Sequence, residues 1–212
     1  MAFPIVRKIY KAQELTIDPR EVLRYLGYKK ELVTAEDLAQ VEGFLPEARA
    51  CMKPAACWGQ FEVELLPEDK IRFPYGEVHS TDLSKNLKGG NTVCREIFLF
   101  AATIGLEYDR LVQRARISSM AKASFLNAIG AAAVENVCDR LNEELRQLAA
   151  SEGKSLRPRY SAGYGDYTLE NQRGIFDLLT PAKYIGLTLK DNLIMVPEKS
   201  VTAVIGIEIG AE

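Results

Sequence analysis

Apolar and polar positions follow two different periods along this chain, and the change of period separates predicted strands from predicted helices. The clearest alternation begins at Phe61 within residues 58–66 and predicts a half-buried strand. A turn over residues 67–70 and a partner strand from Ile71 follow it. Three further apolar segments predict strands, at residues 94–102 (a central strand), 185–189 and 201–207.

Capping residues predict where the helices begin. Asp18 and Pro19 predict a helix that ends at Gly27. Thr34, followed by acidic residues in the first turn, predicts a second helix that runs to about Cys51. Further helices are predicted at residues 82–87 (closed by the glycine pair 89–90), 106–118, 119–150 and from Thr168, and a turn or short helix from Thr180 and Pro181.

The longest predicted helix is rich in small residues and carries one isolated carboxylate. Its alanines and glycine between residues 121 and 133 allow another backbone or a ligand to approach closely, and tight packing is the plainer interpretation. Glu135 is the only charged residue between Ala123 and Cys138. A carboxylate there must reach solvent, find a partner or bind a cation. A position at the edge of the polar face, near Asn136, is the alternative.

Composition excludes several classes of function. The 212 residues are 47% hydrophobic, enough for a buried core, and a single domain is expected. The net charge of −2 with interspersed charges gives no basic patch for nucleic acid. The apolar residues 97–106 are too few to span a bilayer and no signal peptide is visible, so a cytoplasmic protein without a membrane partner is expected. Four scattered cysteines and one histidine predict no metal site.

Residues 157–166 combine arginine, tyrosine and glycine in one loop. Arg157 and Arg159 offer forked donors for a carboxylate or phosphate. Gly163 and Gly165 permit a positive φ and a close approach to a ligand. The tyrosines at positions 160, 164 and 167 offer faces on which an adenine could stack. An exposed turn is the alternative interpretation of this loop.

Motifs of several enzyme classes are absent from the sequence. There is no GxSxG element, no Walker A loop, and no GxGxxG between a strand and a helix, so a Rossmann-type methyltransferase is not expected. No residue pair points to general acid–base catalysis. Residues 197–200 form a polar sequence that predicts a turn before the last predicted strand.

Residues 132–141, 159–166, 185–189 and 197–202 together resemble the S-adenosylmethionine-binding activation domain of cobalamin (vitamin B12)-dependent methionine synthase, and more closely its stand-alone relatives. The family carries an arginine, three residues, then Gly-Tyr. The resemblance implies an α+β fold with a twisted, mainly antiparallel sheet flanked by helices. It implies one domain over residues 1–212, with N-terminal helices and strands in 1–90 and the ligand-binding core in 91–207.

The resemblance also implies roles for five residues. Arg159 would hold the carboxylate of the methionine moiety, and Glu135 would meet its α-amino group. Backbone around Ala162, Gly163 and Tyr164 would contact the ligand. Ala162 stands where the family usually has proline, which implies a less rigid loop before binding. No catalytic residue and no metal ligand is implied on this chain.

The implied activity is reactivation of a corrinoid-dependent methyltransferase. S-adenosylmethionine would serve the reductive methylation of a Co(II) corrinoid, with cobalamin held by a corrinoid-binding methyltransferase in trans and an electron from flavodoxin or ferredoxin. The resemblance implies methionine biosynthesis as the pathway, and another methyl-transfer pathway remains open. Two alternatives remain open. One is a docking subunit of such a complex that binds no S-adenosylmethionine. The other is an unrelated small-molecule enzyme on a similar fold.

Overall fold

The described residues, 4–89 and 93–209 of a computed structural model, form both strands and helices. The strands are β1 (Val6–Ile9), β2 (Ala55–Glu62), β3 (Glu64–Leu65), β4 (Lys70–Phe73), β5 (Gly76–His79), β6 (Glu96–Thr103), β7 (Lys154–Leu156), β8 (Thr188–Leu189), β9 (Met195–Val196) and β10 (Ser200–Ile209). The α-helices are α1 (Pro19–Tyr25), α2 (Ala35–Cys51), α3 (Thr81–Leu87), α4 (Leu106–Ser118), α5 (Met120–Ser151), α6 (Gln172–Leu179) and α7 (Pro181–Ile185).

The helices begin where the sequence places capping residues. The Asp18 carboxylate accepts the Arg20 N–H at 2.8 Å and begins α1. Thr34 and Asp37 cap each other at the start of α2, through two backbone–side-chain hydrogen bonds of 2.9 and 3.1 Å. These bonds satisfy N–H groups that have no partner within the helix. The two predicted helix starts are confirmed.

Five antiparallel strands form the main sheet in the order β1-β2-β6-β10-β7. β6 lies at its centre, as predicted. Among residues 4–89 and 93–209, β7 pairs only with residues 207–209 of β10. Further along the same edge, Tyr160 exchanges two backbone hydrogen bonds of 2.8 Å with Val204. Within the described chain, residues 200–203 of β10 therefore have a strand partner on the β6 side only.

Alternate residues of β10 face two different hydrophobic cores. Ala203 and Ile205 pack with residues of α1, α2, α4 and α5 in the first core. Val204 packs on the opposite face with residues of α6 and of the small sheet β3-β4-β5. Because side chains alternate along a strand, Thr202 shares the face of Val204. The first half of β10 therefore lies between the helices of the first core and the elements of the second core.

The small residues of α5 serve close packing, the plainer of the two sequence interpretations. A Cβ at Gly130 would lie 2.5 Å from Cε1 of Tyr108, whose ring is fully buried. The Tyr108 hydroxyl donates to the Leu126 carbonyl oxygen at 2.5 Å. Glycine therefore lets α4 and α5 approach closely. Although α5 has 32 residues, neither it nor any other helix of the described ranges is long and apolar enough to cross a membrane.

Some sequence predictions are wrong in detail. Ile185, predicted to begin a strand, ends α7, and the strand that follows is only β8. Residues 154–156 form β7, which the sequence does not predict, because three residues are too few for a visible alternation. The strand predicted over 58–66 begins at Ala55 because its first residues are buried on both faces and show no alternation. Part of the glycine pair predicted to close α3, Gly90, lies outside the described residues.

Candidate functional site

A cleft of about 450 Å³ lies beside the edge of β10 that lacks a strand partner. Ligand sites in proteins usually enclose about 300–1,000 Å³. The side chains that line it come from α5, β9, β10, the start of α6 and the loop after β7, and they are Glu135, Arg159, Tyr160, Ser161, Ala162, Tyr164, Gln172, Met195, Ser200, Val201 and Thr202. The structure thus brings Glu135, Arg159, Ala162 and Tyr164, which the sequence predicts as ligand contacts, into one cleft.

The fifth predicted residue, Gly163, forms a turn behind the cleft. Its φ is +96°, in the region that favours glycine, and its N–H donates to the Tyr167 carbonyl oxygen at 2.7 Å. A Cβ there would lie 3.3 Å from Cδ1 of Leu169. Gly163 therefore gives the loop its shape, and its predicted contact with a ligand stays a prediction.

Arg159 makes two ion pairs with α5. Its Nη2 lies 2.5 Å from Oε2 of Glu135, and its Nη1 lies 2.8 Å from Oδ1 of Asp139. Burial disfavours the charge on Arg159, but the neighbouring Cys138, Glu135 and Asp139 outweigh that effect and raise its pKa. The two side chains that the sequence assigns to opposite ends of an amino acid therefore neutralise each other. Sequence reasoning missed Asp139 as a partner, although its spacing of four residues from Glu135 puts both on one helix face.

The loop is fastened to the N-terminus of α3 by Asp166. Its carboxylate accepts the Ser80 hydroxyl at 2.5 Å and the backbone N–H groups of Thr81 and Asp82 at 2.7 and 3.2 Å. These bonds, the one from Ser80 foremost, hold the pKa of Asp166 below its usual range. Gly165, with φ +52°, makes the approach possible, because a Cβ there would collide with the Asp82 carboxylate. The arginine-bearing loop is therefore held in place.

The three tyrosines of the loop have different environments. Tyr160 continues the sheet through its backbone bonds with Val204. Tyr167 is fully buried, and its hydroxyl lies 3.0 Å from the hydroxyl of Tyr75. Tyr164 lines the cleft and is 69% exposed. Tyr160 and Tyr164 therefore both line the cleft for which the sequence predicts a stacking face, while Tyr167 is part of the second core.

Arg157 lies away from the cleft. Its Nε donates to the Asn86 carbonyl oxygen at 2.8 Å and lies 3.3 Å from Oε1 of Glu208. A Cβ at Gly89 would collide with its guanidinium. Arg157 therefore joins α3 to β10, and of the two arginines that the sequence offers as forked donors only Arg159 lines the cleft.

Two polar atoms at the cleft wall are buried and have no hydrogen-bond partner among the residues that the structure describes. They are Oε1 of Gln172 and Oγ1 of Thr202, in residues that are 5% and 2% exposed. Leaving a buried polar group unsatisfied costs about 1–3 kcal/mol. Sequence reasoning missed both residues, because burial and lack of a partner become visible only when α6 and β10 are brought together.

The polar turn predicted over residues 197–200 holds the start of β10. Oδ2 of Asp109 on α4 accepts the Glu198 N–H at 2.7 Å, and burial raises the pKa of Asp109. The Ser200 hydroxyl donates to the Pro197 carbonyl oxygen at 2.7 Å. The turn is thus fixed from the α4 side, and the strand that carries Thr202 leaves it in a defined direction.

The antiparallel sheet and its flanking helices form an α+β fold. A solved structure of the MetH reactivation domain bound to AdoHcy (S-adenosylhomocysteine) matches with a TM-score of 0.73 and 15% sequence identity, over 99% of this chain and 80% of that chain. No protein-family model and no curated protein matches the sequence. The resemblance and the fold class predicted from the sequence are confirmed at the level of the fold.

Proposed function

We propose that this chain binds S-adenosylmethionine in the cleft beside β10 and acts as a reactivation module for a corrinoid-dependent methyltransferase of the methionine synthase type. One observation carries the proposal. Arg159 and Glu135, which the sequence resemblance assigns to the two charged groups of the methionine moiety, meet at 2.5 Å in a cleft large enough for a ligand. The fold in which they meet is shared with a domain whose solved structure holds AdoHcy.

The polar groups of the cleft fit an amino-acid nucleoside. Arg159 is a forked donor for a carboxylate, and Glu135 is an acceptor for an ammonium. Tyr164 offers an exposed ring on which a base can stack. The unsatisfied oxygens of Gln172 and Thr202 favour a ligand that carries polar groups, because an apolar one would leave them unpaired.

The residues of this chain bind and position. Bound S-adenosylmethionine would supply an activated methyl group. To receive the ligand carboxylate, Arg159 releases both of its carboxylate partners on α5, Asp139 and Glu135, and Glu135 becomes free to accept the ammonium. The bonds of Asp166 to α3 already hold the loop, so little ordering free energy is lost on binding. Holding the methyl donor in a fixed orientation is the contribution we assign to the protein.

A partner supplies the rest of the proposed reaction. A corrinoid-binding methyltransferase in trans would hold cobalamin, and flavodoxin or ferredoxin would supply one electron. Reduction by that electron together with methylation would return the Co(II) corrinoid to its active state. We place this reaction in methionine biosynthesis and in the cytoplasm.

Isothermal titration calorimetry of the whole chain with S-adenosylmethionine and with AdoHcy tests the ligand. Both should bind to the wild type, and Arg159→Ala should weaken binding roughly a hundredfold, as expected for a lost hydrogen bond to a charged group. Arg146→Ala is the matched control, because Arg146 pairs with Glu143 on α5 and does not line the cleft. Equal loss in both variants would contradict a specific role for Arg159.

A docking subunit that binds no S-adenosylmethionine is the second candidate. It is favoured by the same ion pairs, since Arg159 is already satisfied by Glu135 and Asp139 without a ligand. Absence of heat with the wild type would support this candidate and overturn the proposed ligand. Reconstitution with a Co(II) corrinoid methyltransferase and a reductant would then test whether the chain changes the rate of reactivation.

A further inference from the structure

We infer that Gln172 and Thr202 form a second, neutral subsite of the cleft, which contacts an N–H or O–H donor at the nucleoside end of the ligand. The inference rests on the proposed function, because it concerns the same cleft and the same ligand. Gln172 lies outside the segments that resemble the activation domain; Thr202 lies in one of them, but the resemblance implies no ligand-binding role for it.

The first argument is the state of the two oxygens. Oε1 of Gln172 and Oγ1 of Thr202 have no hydrogen-bond partner within the described ranges, and both residues are more than nine-tenths buried. The Ser200 hydroxyl on the same strand, by contrast, has partners in Pro197 and Thr103. A chain that leaves two such groups unsatisfied in one wall gives up stability there. A ligand that pairs with them recovers it.

The second argument is their position relative to the charged residues. Glu135 and its partner Arg159 lie on the side of the sheet covered by α5, with Ala203 of β10. Thr202 lies on the opposite face, and Gln172 is the first residue of α6, which packs on that face. The cleft therefore has a charged part and a neutral part, separated by the end of β10. An amino acid joined to a nucleoside has the same division.

The third argument is the chemistry of the groups. The carboxamide oxygen of Gln172 is an acceptor only, so its partner must be a donor, whereas the Thr202 hydroxyl both donates and accepts. Adenine and ribose offer neutral N–H and O–H groups, and a glutamine side chain is a known complement of the adenine edge. A charged ammonium, by contrast, is matched by the Glu135 carboxylate.

The backbone of Thr202 adds to this subsite. In an antiparallel strand the N–H and C=O groups of alternate residues point to the same edge. Val204 directs both of its groups to Tyr160, so Thr202, two residues earlier, directs its own to the same edge. No strand pairs with that edge at Thr202 in the described part of the chain. Its N–H and C=O are therefore further partners for a neutral ligand group.

Calorimetry with AdoHcy on single variants tests the inference. Thr202→Val and Gln172→Leu remove the polar atoms and preserve much of the side-chain volume. Each should weaken binding about five- to tenfold, the loss expected for one neutral hydrogen bond. Thr188→Val and Gln147→Leu make the same chemical changes outside the cleft and should leave the dissociation constant unchanged.

Thermal unfolding of the unliganded variants separates a ligand-binding role from a structural role, because the two roles predict different changes in Tm. Removing an unsatisfied buried hydroxyl should leave the Tm of Thr202→Val unchanged or raise it. Thr202→Ser, which keeps the hydroxyl, should restore binding of AdoHcy. A lower Tm for Thr202→Val would mean that its hydroxyl has a partner within the protein, and the inference would be wrong.

Ligand analogues identify the donor. If the adenine amine is the partner of Gln172, the wild type should bind S-inosyl-L-homocysteine more weakly than AdoHcy. The Gln172→Leu variant should then bind the two ligands with the same, weakened affinity. If a ribose hydroxyl is the partner, the 2′-deoxy or 3′-deoxy analogue should show that pattern instead. Wild-type affinity in both cleft variants, with binding lost in Arg159→Ala, would overturn the inference alone. Absence of heat with the wild type would overturn the proposed function and this inference together.

Discussion

Asp139→Asn should strengthen ligand binding, although it removes a charge next to the cleft. Asp139 holds one arm of the Arg159 guanidinium at 2.8 Å, and a ligand carboxylate competes for the same guanidinium. Asparagine has nearly the same shape as aspartate and carries no charge, so the substitution weakens the competitor without opening a cavity. The effect arises in the unliganded variant, because Arg159 is held less tightly there than in the unliganded wild type.

The magnitude follows from exposure. The side chain of Asp139 is 66% exposed and that of Arg159 is 26% exposed, so solvent screens the pair. Ion pairs of this kind contribute about 0.2–1 kcal/mol. Competition for Arg159 should fall by that amount, and the dissociation constant for AdoHcy should fall by about 1.5- to 5-fold.

Titration calorimetry at low ionic strength is the assay, with Glu135→Gln measured beside it. Glu135→Gln should weaken binding, because the assigned contact with the ligand ammonium is lost, so the two neighbouring acids have effects of opposite sign. Asp177→Asn on α6 is the matched control and should bind as the wild type does. If Asp139→Asn binds AdoHcy more weakly than the wild type does, Asp139 contacts the ligand directly and the competition described here is refuted.

Three further predictions concern stability. The pKa of Asp166 in the folded protein lies below the value of about 3.9 in the unfolded chain. The carboxylate therefore stabilises the fold above about pH 3.9, and this stabilisation is lost as the pH falls through the folded pKa. Asp166→Asn should lower Tm at neutral pH and have no effect on Tm in strong acid. Gly165→Ala should lower the free energy of unfolding by about 1–2 kcal/mol, measured by urea denaturation, since alanine is strained at φ +52°; an unchanged midpoint would contradict the described loop. Gly43→Ala should raise the free energy of unfolding by about 0.5–1 kcal/mol, because nothing lies within 4 Å of the added Cβ. Gly130→Ala should lower it, because the added Cβ meets Tyr108. Thermal unfolding measures both variants, and equal shifts in Tm would be inconsistent with the packing of α4 on α5.

Elements with strong local signals could be predicted from the sequence. The caps at Asp18 and Thr34 gave correct helix starts because they act within three residues of the chain. The central strand was recognisable because burial on both faces requires a long apolar run. β7 and β9 were not predicted, since strands of two or three residues are defined by their partners and carry no period of their own.

The candidate site was likewise predictable from the sequence only in part. Arg159 and Glu135 could be proposed from residue type, isolation and family spacing, and the structure brings them together at 2.5 Å. That they pair with each other, and that Asp139 joins them, depends on how the loop crosses α5. The roles of Gln172 and Thr202 depend on missing partners, which no sequence pattern records. Their roles toward a ligand stay predictions.

The position of β10 in the main sheet has a consequence for the order of folding. Ser200 of β10 pairs with Thr103 of β6 across 97 residues, with α4, α5, α6 and α7 between them. Closing so long a loop slows folding, because its entropy is lost before the contacts form. During synthesis β6 would remain an open, apolar edge until residues beyond 200 leave the ribosome, and chaperones bind such surfaces. The ligand cleft, which needs β10 for one wall, would be the part of the molecule completed last.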